Sequence, residues 1–207
     1  LQSGALPLDL RQDKLDTISA TLGIDALSTS ITAAIIGILI VMLIMLVRYR
    51  MCGLVADWAL CVYIILLFLF IAVVPGIQLT LPGIAGIILG IGMAVDANVV
   101  IFERVKEEVR LGRPMIHAVR IGFKNAMSAV LDANVTTIIA AVVLLFYGTG
   151  SVQGFATTLL LGVITSMITA IVVTRFLLTR FVRVFHEPRL FVAVKPAADA
   201  AVEGEAK

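Results

Sequence analysis

Two carboxylates lie inside stretches of the sequence that are otherwise apolar. Asp96 and Asp132 each begin the same tripeptide, Asp-Ala-Asn, so Asn98 and Asn134 follow them at the same spacing. An ionisable side chain inside a membrane-spanning helix is costly, which makes it a candidate functional group. Low-dielectric surroundings disfavour the ionised form of a carboxyl group, so such a group can bind and release a proton near neutral pH. These four residues therefore predict proton-coupled chemistry.

The two carboxylates are predicted to lie at similar depth. At the helical rise of 1.5 Å per residue, Asp96 is about 10 Å from the end of its apolar stretch near Glu103. Asp132 is about 9 Å from the end of its own stretch near Ala126. Because the two helices run in opposite directions, we expect both carboxylates and both carboxamides to meet at one level. Thr136, one turn after Asp132, either bonds that carboxylate or, as we favour, its own helix backbone.

The composition indicates that these groups are positioned by membrane-spanning helices. The chain of 207 residues is 60% hydrophobic and 14% charged, whereas soluble domains carry about 25% charged residues. Its mean hydropathy is +1.09. A spanning helix needs about 20 mostly apolar residues, and five stretches qualify: 31–47, 54–74, 81–102, 126–147 and 154–178. We predict an all-α integral membrane fold of five transmembrane helices.

The connectors between the stretches predict the orientation of the chain. Arg48 and Arg50 follow the first stretch, six Lys and Arg residues lie in the connector 103–125, and further arginines follow the fifth stretch. The connectors 75–80 and 148–153 contain no charge. Lys and Arg are retained on the cytoplasmic side of a membrane. We therefore expect the N-terminus outside and the C-terminus in the cytoplasm.

Three segments follow from this arrangement. Residues 27–185 form the predicted transmembrane domain, 1–26 the end of an extracytoplasmic domain with its linker, and 186–207 a cytoplasmic tail whose composition is typical of disorder. The chain does not begin with Met and shows no signal peptide, so we expect it to continue a longer protein. The connector 103–125 is long enough for a short helix along the cytoplasmic surface, broken at 112–114.

Enzymatic, metal and cofactor chemistry have no support in the sequence. The two histidines are isolated, and no Ser/His/Asp or Cys/His set falls in one site. Gly86 and Gly90 form the small-residue spacing that lets membrane helices approach closely, and they lie inside a span rather than in a nucleotide-binding loop. The net charge of +2 gives no indication of nucleic-acid binding. We expect no enzyme, no metal site and no bound cofactor.

Four long runs match a known pattern in order and position: 81–104, 131–137, 146–156 and 165–175. Together they resemble the SecD family of bacterial protein-export membrane proteins, over about residues 27–185. The sister subunit SecF has an Asn-Asp pattern where this chain has Val95 before Asp96, so SecD is the better match.

The resemblance implies half of a permease of the RND superfamily, which pairs with a SecF-like subunit. By the resemblance, the complex of the two subunits uses the proton-motive force to help complete polypeptide export. By the resemblance, Asp96 matches the proton-coupling aspartate, and Asp132 and Asn134 match a second motif nearby. The implied partners are the SecF-like subunit, the SecYEG translocon, the unfolded exported polypeptide and membrane lipids, with no nucleic acid. The implied location is the bacterial cytoplasmic (inner) membrane.

Three alternatives remain open from the sequence. Another RND-type exporter, moving a lipid or a small molecule, would share the intramembrane acid. A scaffold that docks to the translocon and transfers no protons would not need the acid. Full function of an Asp96→Asn variant would therefore favour a scaffold. A sodium gradient is an alternative to the proton gradient, because a carboxylate near carboxamides serves either ion.

Overall fold

The computed structural model describes residues 20–184 except 75, 76 and 78, and the described part contains helices and no strand. The helices are α1 (Ala20–Tyr49), α2 (Met51–Val73), α3 (Leu81–Arg110), α4 (Met115–Tyr147), α5 (Ser151–Ile168), a π-helical segment (Thr169–Thr174) and α6 (Arg175–Val184). Among these residues, five helical stretches are long and apolar enough to span a membrane, since α5, the π segment and α6 form one of them. The predicted all-α membrane fold is confirmed. Residues 1–19 and the predicted tail 186–207 lie outside the described residues.

The connector between the third and fourth spans differs from its prediction. The predicted break is present, because the chain turns at 111–114 with Gly112 at a φ of +80°. The prediction of a separate surface helix was wrong, since α3 continues to Arg110 and α4 begins at Met115. Charged residues are good helix formers, and the pair of Arg104 with Glu107 at 2.9 Å, one turn apart, supports the extension of α3.

Glycines bring α3 against α5 and α2. A Cβ placed at Gly90 would lie 2.7 Å from Tyr63 Oη and 3.5 Å from the Cα of Gly162. At Gly86 a Cβ would overlap Thr158 Oγ1. Only glycine permits helices to approach this closely, so the predicted role of Gly86 and Gly90 is confirmed. α3 makes its most extensive contacts with α5 and then α4, which places it at the centre of the bundle.

One end of the bundle, here called the charged end, carries Arg48, Glu103, Lys106 and the 111–114 turn. There Tyr49 Oη donates a hydrogen bond to Glu103 Oε1 at 2.9 Å, which fastens the end of α1 to α3. Lys106 Nζ and Arg48 lie 3.4 Å and 3.9 Å from the same carboxylate. The rest of α1 is mostly exposed. One turn before Tyr49, Met45 of α1 is buried in the core and Val41 packs against it.

Candidate functional site

Asp96 lies on α3 at the edge of a cavity of about 140 Å³ between α3 and α4. Its side chain is exposed at the surface of the five-helix unit. Within the described part of the chain, Asp96 takes part in no ion pair. The cavity has room for several water molecules, and its lining combines small, apolar and polar side chains: Met93, Asp96, Ala97, Val100, Ala129, Val130, Ala133, Asn134 and Thr137.

Asn134 brings a carboxamide from α4 to the same cavity. It is 7% exposed, and its Nδ2 donates to the backbone oxygen of Val130 at 2.7 Å. This bond to its own helix fixes the direction of the side chain. Asp96 and Asn134 are therefore the two members of the Asp-Ala-Asn motifs that the structure brings together, one from each helix.

Asn98 lies on the other side of α3. Two residues along a helix differ in direction by about 200°, so Asn98 turns away from the Asp96 cavity. It is 3% exposed, and its Oδ1 accepts a hydrogen bond from Thr174 Oγ1 at 2.8 Å. Thr174 ends the π segment. The carboxamide thus joins α3 to the fifth span.

Asp132 does not line the cavity. It is exposed on α4, and its Oδ2 accepts a hydrogen bond from Ser128 Oγ at 3.4 Å. Thr136 donates to the backbone oxygen of Asp132 at 3.0 Å, as the favoured interpretation expected. The expectation that both carboxylates and both carboxamides meet was therefore wrong. Equal depth did not bring the four together, because Asp132 points about 200° away from Asn134 around α4.

Sequence reasoning missed the π segment and its contact with Asn98. π-helical turns are rare, and many of those that occur lie at functional sites. The only signal in the sequence was a concentration of hydroxyl residues at 165–174, where Thr165, Ser166, Thr169 and Thr174 are all buried. Three of them donate to backbone oxygens of their own helix, one turn earlier. Thr174 instead bonds across to α3.

Comparison with known proteins agrees with this architecture. The family model described as protein export membrane protein SecD/SecF, C-terminal, matches residues 4–184. Protein translocase subunit SecD of Acidaminococcus fermentans is 53% identical over 180 residues, covering 86% of this chain and 42% of that protein. Protein translocase subunit SecDF of Bacillus subtilis is 47% identical over 182 residues, covering 88% and 25%.

A solved structure has the same fold. The crystal structure of SecDF from Thermus thermophilus, a translocon-associated membrane protein, superposes with a TM-score of 0.77 at 40% identity, covering 81% of this chain and 23% of that one. The chain spans less than half the length of these relatives. The match over residues 4–184 covers the five spanning helices. The chain belongs to the family of SecD/SecF protein-export membrane proteins and contains its C-terminal region.

Proposed function

We propose that this chain is the proton-coupling part of an accessory subunit of the Sec protein translocase. In the proposal it lies in the bacterial cytoplasmic membrane and uses the proton-motive force to help complete the export of polypeptides. The observation that carries the proposal is an intramembrane carboxylate, Asp96, that borders a cavity with room for several water molecules. Within the described part of the chain, no cation forms an ion pair with it. The relatives' role as translocase subunits supports the link to export.

Protonation of Asp96 is the proposed driving event. The ionised carboxylate needs water or polar groups around it, and the cavity and Asn134 offer both. Protonation removes the charge, so the cavity no longer needs water and α3 is free to move closer to α4. On the opposite side of α3, the 2.8 Å hydrogen bond between Thr174 and Asn98 would carry that movement to the fifth span. Asp132 lies outside the cavity and is given at most a secondary part.

The proposed assembly covers the exposed side of Asp96. A carboxylate facing the hydrocarbon would be costly, so we assign that side to a second subunit, which by family resemblance is SecF-like. SecYEG and the unfolded exported polypeptide are the further proposed partners. The Lys and Arg residues of the charged end favour a cytoplasmic location for that end, which gives an external N-terminus and a cytoplasmic C-terminus.

The test is gradient-dependent export by the full-length protein with its SecF-like partner and the translocon in membrane vesicles. Asp96→Asn keeps the shape of the side chain but cannot release a proton. We expect this variant to lose nearly all of the export that depends on the proton gradient, while the complex still assembles. The measurement is the fraction of a secreted polypeptide that completes translocation with and without the gradient.

Asp57→Asn is the matched control, because Asp57 is a carboxylate of α2 that lies outside the cavity. It should export at the wild-type level. Normal gradient-dependent export by Asp96→Asn would contradict the proposal and favour a scaffold. If a sodium gradient drives the wild type and a proton gradient does not, the site at Asp96 is coupled to sodium instead.

A further inference from the structure

A second cavity, of about 370 Å³, lies between α4 and α6 and carries a concentration of positive charge. Arg120 of α4 and Arg175 and Arg183 of α6 line it. All three side chains belong to exposed residues. The proposed proton step uses none of them, and the cavity shares no lining residue with the one at Asp96.

These three arginines have no acidic partner within the part of the chain that the structure describes. The glutamates of the charged end are already engaged by other cations. Glu103 lies beside Lys106, Glu107 beside Arg104, and Glu108 lies 3.0 Å from Arg113. Three like charges around one concavity repel one another and raise the local concentration of anions. The cavity therefore favours an anionic ligand.

The place of the cavity suggests the kind of anion. Arg120 lies in the second turn of α4, just after the 111–114 turn, so the cavity opens near the charged end of the bundle. In a spanning protein this level meets the polar headgroups of the lipids. Basic pockets between membrane helices bind the headgroups of anionic phospholipids. Phe123 and Val182, which are 3% and 4% exposed, give the cavity an apolar wall as well.

We infer that this cavity binds a phosphate group, carried by an anionic phospholipid or present as free phosphate. The planar guanidinium groups match phosphate oxygens with paired hydrogen bonds. Thr179 lines the same cavity, but its hydroxyl donates to the backbone oxygen of Arg175 at 2.7 Å. The arginines consequently supply the recognition, and the apolar wall accepts the glycerol and the first carbons of a lipid.

The test uses the full-length protein in detergent, with native mass spectrometry to count bound molecules. The probes are short-chain phosphatidylglycerol, phosphatidylcholine with the same acyl chains, and inorganic phosphate. We expect phosphatidylglycerol to bind more tightly than phosphatidylcholine. Replacing Arg120 and Arg183 together by Gln should weaken phosphatidylglycerol binding at least about tenfold, because each removes charge-assisted hydrogen bonds.

Arg180→Gln is the matched control, since Arg180 is on the same helix but packs over the Phe176 ring at 5.3 Å and does not line the cavity. The affinity of this variant for phosphatidylglycerol should stay within about twofold of the wild-type affinity, in contrast to the tenfold loss expected for the double variant. If the double variant does not assemble, Arg120→Gln and Arg183→Gln are measured singly, and each should weaken binding severalfold.

Binding of phosphatidylglycerol that is equal in the arginine variants and in the Arg180→Gln control would overturn the inference. Equal binding of the two lipids by the wild type would also overturn it. Displacement of phosphatidylglycerol by millimolar inorganic phosphate supports a phosphate site that free phosphate can occupy. Retention of the lipid in that experiment, with loss in the arginine variants, assigns the site to the lipid headgroup.

Discussion

On the side of α3 that faces α5, Gly86 and Gly90 bring backbones into contact, whereas toward α4 Asp96 borders a cavity. We call these the packed side and the cavity side. The packed side also includes Asn98, which is bonded to Thr174 of the π segment. A group that changes its charge needs water and room, while the helix that carries it needs a fixed support. One helix meets both needs by dividing them between its two sides.

The largest expected effect comes from filling the packed side. In Gly86→Ala the new methyl group would overlap Thr158 Oγ1 and lie 3.1 Å from the backbone oxygen of Phe155. We expect a loss of roughly 2–3 kcal/mol in the free energy of unfolding, as in other overpacked cores. Denaturation by SDS in mixed micelles measures it.

Gly92→Ala makes the same change on the same helix, where a Cβ meets nothing within 4 Å. It should be neutral or stabilise by up to about 1 kcal/mol, the helix propensity difference between the two residues. Equal losses in the two variants would mean that the packed side does not support α3 as described.

A smaller effect is expected where the packed side meets the π segment. Thr174→Val keeps the shape of the side chain but leaves Asn98 Oδ1 without its 2.8 Å hydrogen bond. An unsatisfied buried polar atom costs about 1–3 kcal/mol, and we expect a destabilisation in the lower half of that range. The same unfolding measurement detects it.

Thr157→Val is the control for that change, because the Thr157 hydroxyl donates to the backbone oxygen of Gln153 in its own helix. Its effect should be within about 0.5 kcal/mol. If the two threonine variants behave alike, the contact between Asn98 and Thr174 contributes no more than a local backbone bond.

The parts of this arrangement that were predictable from the sequence are those set by length and hydropathy. Apolar runs located the five spans, and Gly112 and Pro114 located the break between α3 and α4. Depth along the helix also placed Asp96 and Asn134 near one level, and they share a cavity.

What could not be predicted depends on helix rotation and on tertiary packing. Depth along a helix says nothing of direction around it, so Asp132 was expected to meet Asp96, although it lies outside the cavity that Asp96 borders. The residue types at Thr169–Thr174 do not distinguish a π-helix from an α-helix. The two differ in their backbone hydrogen bonds, which depend on how the fifth span packs. The hydrogen bond between Asn98 and Thr174 was missed because it depends on how α3 packs against the fifth span.

The smallest effect is expected at Asp132, which lies outside the cavity. Its substitution tests whether proton coupling is confined to the cavity side. Asp132 is exposed, and its carboxylate accepts a 3.4 Å hydrogen bond from Ser128 that Asn at this position can still accept. Asp132→Asn should therefore change the free energy of unfolding by no more than about 0.5 kcal/mol. In the vesicle export measurement it should retain most of the gradient-dependent export that Asp96→Asn loses. If Asp132→Asn instead lost export as completely as Asp96→Asn, Asp132 would belong to the proton path. The path would then continue from the cavity to the side of α4 that faces away from Asn134.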